Sequence, residues 1–171
     1  MKLEPVAPEH APAIQQLAAD PAVIATTNLP DPYPAHGAEE WIRFVRRRQA
    51  VGAEYAFAMV DDAAGARVVG VCGLVEVSGG EAEMGYWVGR PYWNGGHATA
   101  AGRLLVAYAF EKLELDRLRA HPLMRNRASR RVLEKLGFTL EGLRPNPYPR
   151  WHPLDYLATY RLTAAQWRAR P

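Results

Sequence analysis

Residue types and spacing first suggest chemistry at Trp93-Asn94-Gly95-Gly96-His97-Ala98. This string follows a strand-like run ending at Gly89 and opens directly into a long stretch of helical periodicity. The first amides of such a helix have no internal acceptor, and the helix dipole favours negative charge there. Gly95, Gly96 and Ala98 are small enough for a phosphate to approach the backbone. The unit therefore reads as an anion cradle, with a tight turn that merely packs the helix closely as the plainer alternative. Two nucleotide-binding patterns are excluded. A Walker loop needs a glycine, four residues, then Gly-Lys-Ser/Thr, and no such string occurs. A dinucleotide fingerprint needs an early parallel unit with an acidic residue about 20 positions on, whereas this loop follows a meander.

The arginines give a second hint. Residues 117–150 hold nine basic side chains against two acidic ones, a local +7 in a chain whose total is +3. Such a field suits a phosphate-bearing partner, either a nucleic acid or a small polyanion, and composition does not choose between these and a solvated arginine face. The five histidines (10, 36, 97, 121, 152) lack metal-ligand spacing, and Cys72 sits in an apolar run with no sequence-near base. Both sets read as structural, and no metal is expected.

Periodicity supplies the elements that must hold these groups. Residues 2–6 form a short strand, residues 9–19 a helix carrying Ile14, Leu17 and Ala18 and closed by Asp20-Pro21, and residues 26–34 a loop. Residues 38–50 set Trp41, Ile42 and Val45 on one helical stripe, with Arg43, Arg46 and Arg47 on the other. Strands follow at 54–60, 67–77 and 82–89, the last two joined by Ser78-Gly79-Gly80, which predicts antiparallel pairing. The cradle opens the longest helix, 96–115. A strand at 118–122, a helix at 126–136 between Asn126 and Gly137, and strands at 138–143 and 155–162 complete the set. This order predicts an α/β (α+β) fold: one mixed, mostly antiparallel sheet with helices on both faces, in a single domain over residues 1–171.

Composition agrees with that size and class. The chain has 171 residues, 49% hydrophobic and 23% charged, so a compact fold buries roughly 70% of its unfolded surface without a covalent staple. No apolar run approaches the length of a membrane span. Residues 1–7 lack a secretory pattern and one cysteine excludes an internal disulfide, so the expected location is the cytoplasm.

Four strings occur in order: Glu83-Met84-Gly85-Tyr86-Trp87-Val88-Gly89, then Pro91-Tyr92-Trp93-Asn94-Gly95-Gly96-His97-Ala98-Thr99, then Asn126-Arg127-Ala128-Ser129, then Leu133-Glu134-Lys135-Leu136-Gly137-Phe138. Together they resemble the GNAT superfamily of acyl-CoA-dependent N-acetyltransferases, and within it the ribosomal-protein N-terminal acetyltransferase subgroup. Pro30-Asp31-Pro32-Tyr33-Pro34 followed by Trp41 is similar to that subgroup too. The resemblance covers nearly the whole chain. It implies a sheet splayed between two strands, acetyl-CoA as cosubstrate and an amine as acceptor.

The resemblance also assigns positions. The family's pyrophosphate loop falls on Trp93-x-x-Gly96-x-Ala98, with the amides of Gly95, Gly96, His97, Ala98 and Thr99 facing the cofactor. Trp93 stands where Gln or Arg is usual, which keeps the amides and removes one polar side chain. The preceding strand bears a bulge in the family and pairs its backbone with the pantetheine arm, here at Trp87 and Val88. Asn126 matches an asparagine that contacts that arm, and Ser129 a serine near the sulfur. Leu133 occupies the place of a tyrosine that protonates the leaving thiolate in many members. A coenzyme thiol with a pKa of about 8.5 already leaves tolerably. Ser129 is therefore expected mainly to orient the sulfur, with satisfaction of the helix start as its plainer role. Glu83 matches a glutamate that holds the amine, directly or through water, and is the candidate base; a half-exposed strand carboxylate is the alternative. A backbone amide near residues 86–88 would stabilise the oxyanion.

An α-amine titrates near 7.7 to 8.0 and a lysine near 10.4, a gap of about 3.5 kcal/mol. One carboxylate and no tyrosine acid suit the less basic acceptor, a protein amino terminus or a small-molecule amine. Asp31, Tyr33 and Trp41 are expected to line the acceptor pocket, through an acidic partner for an ammonium group and aromatic faces for cation-π contact. The expected reaction is direct attack in a ternary complex, without an acyl-enzyme. A silent acyl-CoA sensor is the first alternative, against which Glu83 stands. A nucleic-acid module is the second; it requires steeply salt-dependent binding and arginines at 125, 127, 130 and 131 not committed to CoA phosphates. No membrane partner is expected, and a homodimer is compatible with the chain.

Overall fold

A computed structural model describes residues 1–149 and 151–170. Seven strands, β1 (Lys2–Pro5), β2 (Tyr55–Asp61), β3 (Arg67–Ser78), β4 (Glu81–Val88), β5 (Arg117–Ala120), β6 (Thr139–Pro145) and β7 (Tyr156–Thr163), form one sheet in the order β1-β2-β3-β4-β5-β7-β6. Every neighbouring pair is antiparallel except β4 and β5. Among the described residues, six α-helices accompany it: α1 (Ala11–Ala18), α2 (Pro21–Ile24), α3 (Gly37–Ala50), α4 (His97–Ala107), α5 (Arg127–Leu136) and α6 (Ala164–Arg168).

Alternation along β4 divides the molecule into two layers. Ala82, Met84, Tyr86 and Val88 face the core shared with α4 and α5, where Ala101, Leu105, Leu133 and Leu136 are buried. Trp87 faces the other side, where Ile14 of α1 and Ile42 and Val45 of α3 pack with Val71. Each buried leucine contributes about 1.5–3 kcal/mol, which fixes α4 and α5 on their face. Gly102 allows those helices to meet closely, since a Cβ there would come 2.5 Å from Leu136 Cδ1.

Several boundaries differ from expectation for identifiable reasons. Pro21 closes α1 as expected but also begins α2: Asp20 accepts from the Ala22 amide at 2.8 Å, and proline suits a first helical position that needs no N–H. The helix after the cradle is the longest unbroken helical run, as expected, but it is not α-helical throughout. There, α4 ends at Ala107 and a single wide turn, Tyr108–Lys112, carries the apolar spacing onward. The C-terminal α6 was not expected, although Thr163 and Gln166 cap its start reciprocally. The expected bulge is not in the second half of β4, whose residues 85–88 pair in unbroken register with 73–70. The irregularity lies in β3 between Val75 and Ser78, where Glu76 has φ 53°.

Candidate active site

The parallel pairing of β4 with β5 covers three rungs, Glu81–Arg117, Ala82–Leu118 and Glu83–Arg119. β5 then ends at Ala120, two residues before Pro122, and continues its pairing with β7 alone. β4 runs on to Val88 against β3. Among the described residues, 84–88 therefore have no strand on the β5 side. This is the expected splay, produced by the early end of β5 and needing no β4 bulge.

Past β4, a short turn, Arg90–Tyr92, leads into the cradle. Asn94 at φ 64° and Gly96 at φ 78° turn the chain back so that α4 starts at His97. Among the described residues, the amides of Gly95, Gly96, His97 and Ala98 carry no hydrogen bond. The Thr99 amide does, to the Gly96 carbonyl at 3.1 Å, so the expected five-amide cradle has four open donors. His97 turns its ring away toward Asp61, Nδ1 to Oδ2 3.7 Å, and edge-on to Tyr92. That ring fills the space a Cβ on Gly95 would need, with Nε2 only 2.5 Å away. Trp93 explains its departure from the usual polar residue: its indole Nε1 donates to the Val88 carbonyl at 2.7 Å and pins the loop to the strand. That bond engages the Val88 carbonyl within the chain and leaves the Val88 N–H on the open edge, while Trp87 is paired with Val71 of β3.

Asn126 caps α5, its Oδ1 accepting from the Ser129 amide at 3.0 Å. The Ser129 hydroxyl is 2.9 Å from the hydroxyl of Tyr86, which also donates to the Ser129 carbonyl at 3.0 Å. Burial pushes the Tyr86 pKa well above the ordinary tyrosine value, so the phenol stays neutral. Sequence reasoning missed Tyr86 because its partner lies 43 residues on.

On the opposite face of β4, Glu83 sits at the last parallel rung, its Oε2 3.0 Å from His121 Nδ1. At Gly85 a Cβ would meet nothing within 4 Å, which leaves open space on the face where Glu83 and Trp87 also lie. Trp87 and Trp41 are partly buried against the α1–α3 core. Asp31 and Tyr33 share a pocket of about 280 Å³ with Ala19, Pro21, Ile24, Ala25 and Pro32; Trp41 is not part of its wall. Burial raises the Tyr33 pKa as well. Arg125, just before the Asn126 cap, reaches the Ala25 carbonyl at 3.5 Å and so ties that rim to the start of α5.

Among the described residues, four of the segment's basic side chains, Arg117, Arg119, Arg125 and Arg130, are committed internally. Arg117 holds Glu81 at 2.6 Å, Arg125 holds Asp155 at 3.2 and 3.3 Å, and Arg130 donates to the Tyr160 hydroxyl at 3.2 Å and the Met124 carbonyl at 3.4 Å. Arg127 and Arg131 remain exposed on α5; Arg150 lies outside the described residues. Burial also raises the Cys72 thiol well above its ordinary range, which leaves it inert. Among the described residues no three His, Cys, Asp or Glu side chains converge as a metal site, and no helix is long and apolar enough to cross a membrane.

Residues 1–139 match the family model described as acetyltransferase (GNAT) domain. A Bacillus licheniformis protein named N-acetyltransferase p20 is 30% identical over 137 residues, 79% of this chain and 76% of its own. Mycobacterium smegmatis RimJ in complex with CoA-disulfide is 25% identical with a TM-score of 0.83, over 96% of this chain and 82% of that one. Spermidine N-acetyltransferase from Vibrio cholerae, in complex with CoA and spermine, has a TM-score of 0.84 at 17% identity, over 98% and 97% of the two chains, and shows the shared fold alone.

Proposed function

The chain belongs to the GNAT acetyltransferase family and is an acetyl-CoA-dependent N-acetyltransferase, and from that premise we propose that its acceptor is the α-amine of a peptide or a small-molecule amine. Acetyl-CoA supplies an acetyl thioester. The four open amides of Gly95, Gly96, His97 and Ala98 suit its diphosphate, and the uncovered edge of β4 suits its arm. Tyr86 and Val88 contribute backbone N–H groups to that edge, whereas Trp87 pairs its own with Val71 of β3, and Asn126 keeps its Nδ2 for the arm. Ser129, held by Tyr86, orients the sulfur. Glu83 holds the amine beside the open space at Gly85. Asp31 and Tyr33 receive the rest of the acceptor, while Trp41 packs against the α1–α3 core outside that pocket. The cytoplasm is the proposed location, in keeping with a reduced, buried Cys72.

The observation that carries this reading is the end of β4–β5 pairing at Glu83–Arg119, which leaves residues 84–88 uncovered on the strand that leads into the open amides of α4. The internal pairing of Arg117, Arg125 and Arg130 weighs against a nucleic-acid module. Thermal unfolding tests the cofactor half of the proposal. Acetyl-CoA at 100 times its Kd adds about 2.7 kcal/mol, a rise of about 5 to 11 °C for this size; no rise refutes it. A screen of peptide and small-molecule amines, read by thiol release, then identifies the acceptor. Glu83→Gln loses at least about 100-fold in kcat while keeping the acetyl-CoA shift; a sensor would show no turnover to lose.

A further inference from the structure

His121 follows β5 directly, on the same face as Arg117 and Arg119. Its side chain is 8% exposed, and Nδ1 lies 3.0 Å from Glu83 Oε2. The approach is off the line a hydrogen bond needs, so Nδ1 is a buried polar atom with no hydrogen bond among the described residues. Buried polar atoms are almost always partnered, and the exceptions gather where chemistry uses them. A small turn of either side chain closes this contact.

The charges around the pair are engaged elsewhere. On β4 and β5, Glu81 takes Arg117 at 2.6 Å and Arg119 at 3.6 Å. On β7, Arg161 stands opposite Arg119 and takes Glu141 of β6 at 2.6 Å. Beyond His121, Arg125 takes Asp155. The α1–α3 layer contributes Ile14, Ile42 and Val45 to the core on this face. Glu83 and His121 are thus left to each other at the mouth of the splay.

We propose that His121 is the base of the transfer reaction and that Glu83 orients it. Glu83 accepts from Nδ1–H through Oε2, which fixes the tautomer and leaves Nε2 to take a proton, while Oε1 remains for the amine. As the acceptor nitrogen bonds to the acetyl carbon and the carbon–sulfur bond breaks, the nitrogen loses one proton to Nε2, directly or through one water. The sulfur leaves with the electron pair as thiolate, and the imidazolium, held by the Glu83 carboxylate, later returns its proton to sulfur or solvent. An imidazole is intrinsically a stronger base than a carboxylate, which suits the removal of a proton from an amine nitrogen. This rests on the acetyltransferase site proposed above.

Two variants separate a base from a brace. His121→Asn keeps an N–H near the position of Nδ1 and has nothing at Nε2, while His121→Ala leaves room for added imidazole. The expected results are a loss of at least about 100-fold in kcat for both, an acid limb of kcat/KM that moves in His121→Asn, and imidazole rescue of His121→Ala, each with the acetyl-CoA thermal shift retained. Wild-type kcat in His121→Asn, or an unmoved acid limb together with no rescue, overturns the proposal. Nitrogen-15 shifts of His121 in the wild-type protein give a check that needs no variant: the Nδ1–H tautomer is expected, and the Nε2–H tautomer overturns it. A wild-type protein that releases no CoA with any amine fails the site assignment instead.

Discussion

Tyr86→Phe removes one hydroxyl, and the structure sets the size of its effect. The phenol oxygen lies 3.0 Å from the Ser129 carbonyl and 2.9 Å from Ser129 Oγ. One net hydrogen bond contributes about 0.5–1.5 kcal/mol, and partly exposed Ser129 recovers some of the loss by hydration. The expected cost is about 1 kcal/mol, a fall in Tm of about 2–4 °C. The kinetic effect follows from the proton count. A phenol has one proton: given to the carbonyl, it makes Oγ donate back to the phenol; given to Oγ, it frees the serine proton for sulfur. Tyr86 thus governs where the Ser129 proton points. Tyr86→Phe should lower kcat by about tenfold, equivalent to about 1.4 kcal/mol, with a smaller change in KM for acetyl-CoA. Ser129→Ala should do the same, and the double variant should match the single ones within about twofold, because both act through one hydrogen bond. Steady-state thiol release with parallel thermal unfolding reads both effects. A double variant about 100-fold down would refute the coupling, since the hydroxyls would then act independently.

Three further outcomes are expected. Gly96→Ala meets no atom within 4 Å, so its cost is the left-handed backbone alone, about 1–2 kcal/mol; unchanged thermal unfolding would count against that cap geometry. Raising pH should destabilise the protein through Tyr86. Burial lifts its folded pKa above the unfolded value, so the unfolded chain releases the proton first, and stability falls as pH climbs past about 10. Urea midpoints of Tyr86→Phe should fall less steeply there, the remaining slope coming from the other groups that burial raises, Cys72 and Tyr33 among them, and curves parallel to wild type would contradict the assignment. Arg125→Ala cuts the ties to Asp155 and Ala25; it should lower acceptor kcat/KM more than acetyl-CoA affinity, at a stability cost of at most about 1 kcal/mol, and the reverse order would make Arg125 a phosphate ligand.

Much of the frame was legible because local rules and tertiary packing agree. Asn126 and Gly137 cap α5 where their residue types say they should, and Ser78-Gly79-Gly80 turns β3 into β4. The stripe of Ile42 and Val45 is the buried face of α3. The cradle glycines were legible for the same reason, since φ of 78° at Gly96 needs a residue without Cβ. What stayed hidden depends on register across the sheet. Tyr86 meets Ser129, and Glu83 meets His121, only once β4, β5 and α5 are docked, and no spacing along the chain announces either pair. Trp93 was recognised as a departure, but its bond to Val88 requires the loop's path. The α6 cap differs: Thr163 and Gln166 stand at capping-box spacing, a signal present in the sequence.

Backbone hydrogen exchange with and without acetyl-CoA tests the central claim most directly. Protection should appear at the amides of Gly95, Gly96, His97 and Ala98 and at the open-edge amides of Met84, Tyr86 and Val88 in β4, with β2 unchanged. Protection confined to other segments, or none at saturating acetyl-CoA, would contradict a diphosphate held at the start of α4 with its thioester arm against the open strand.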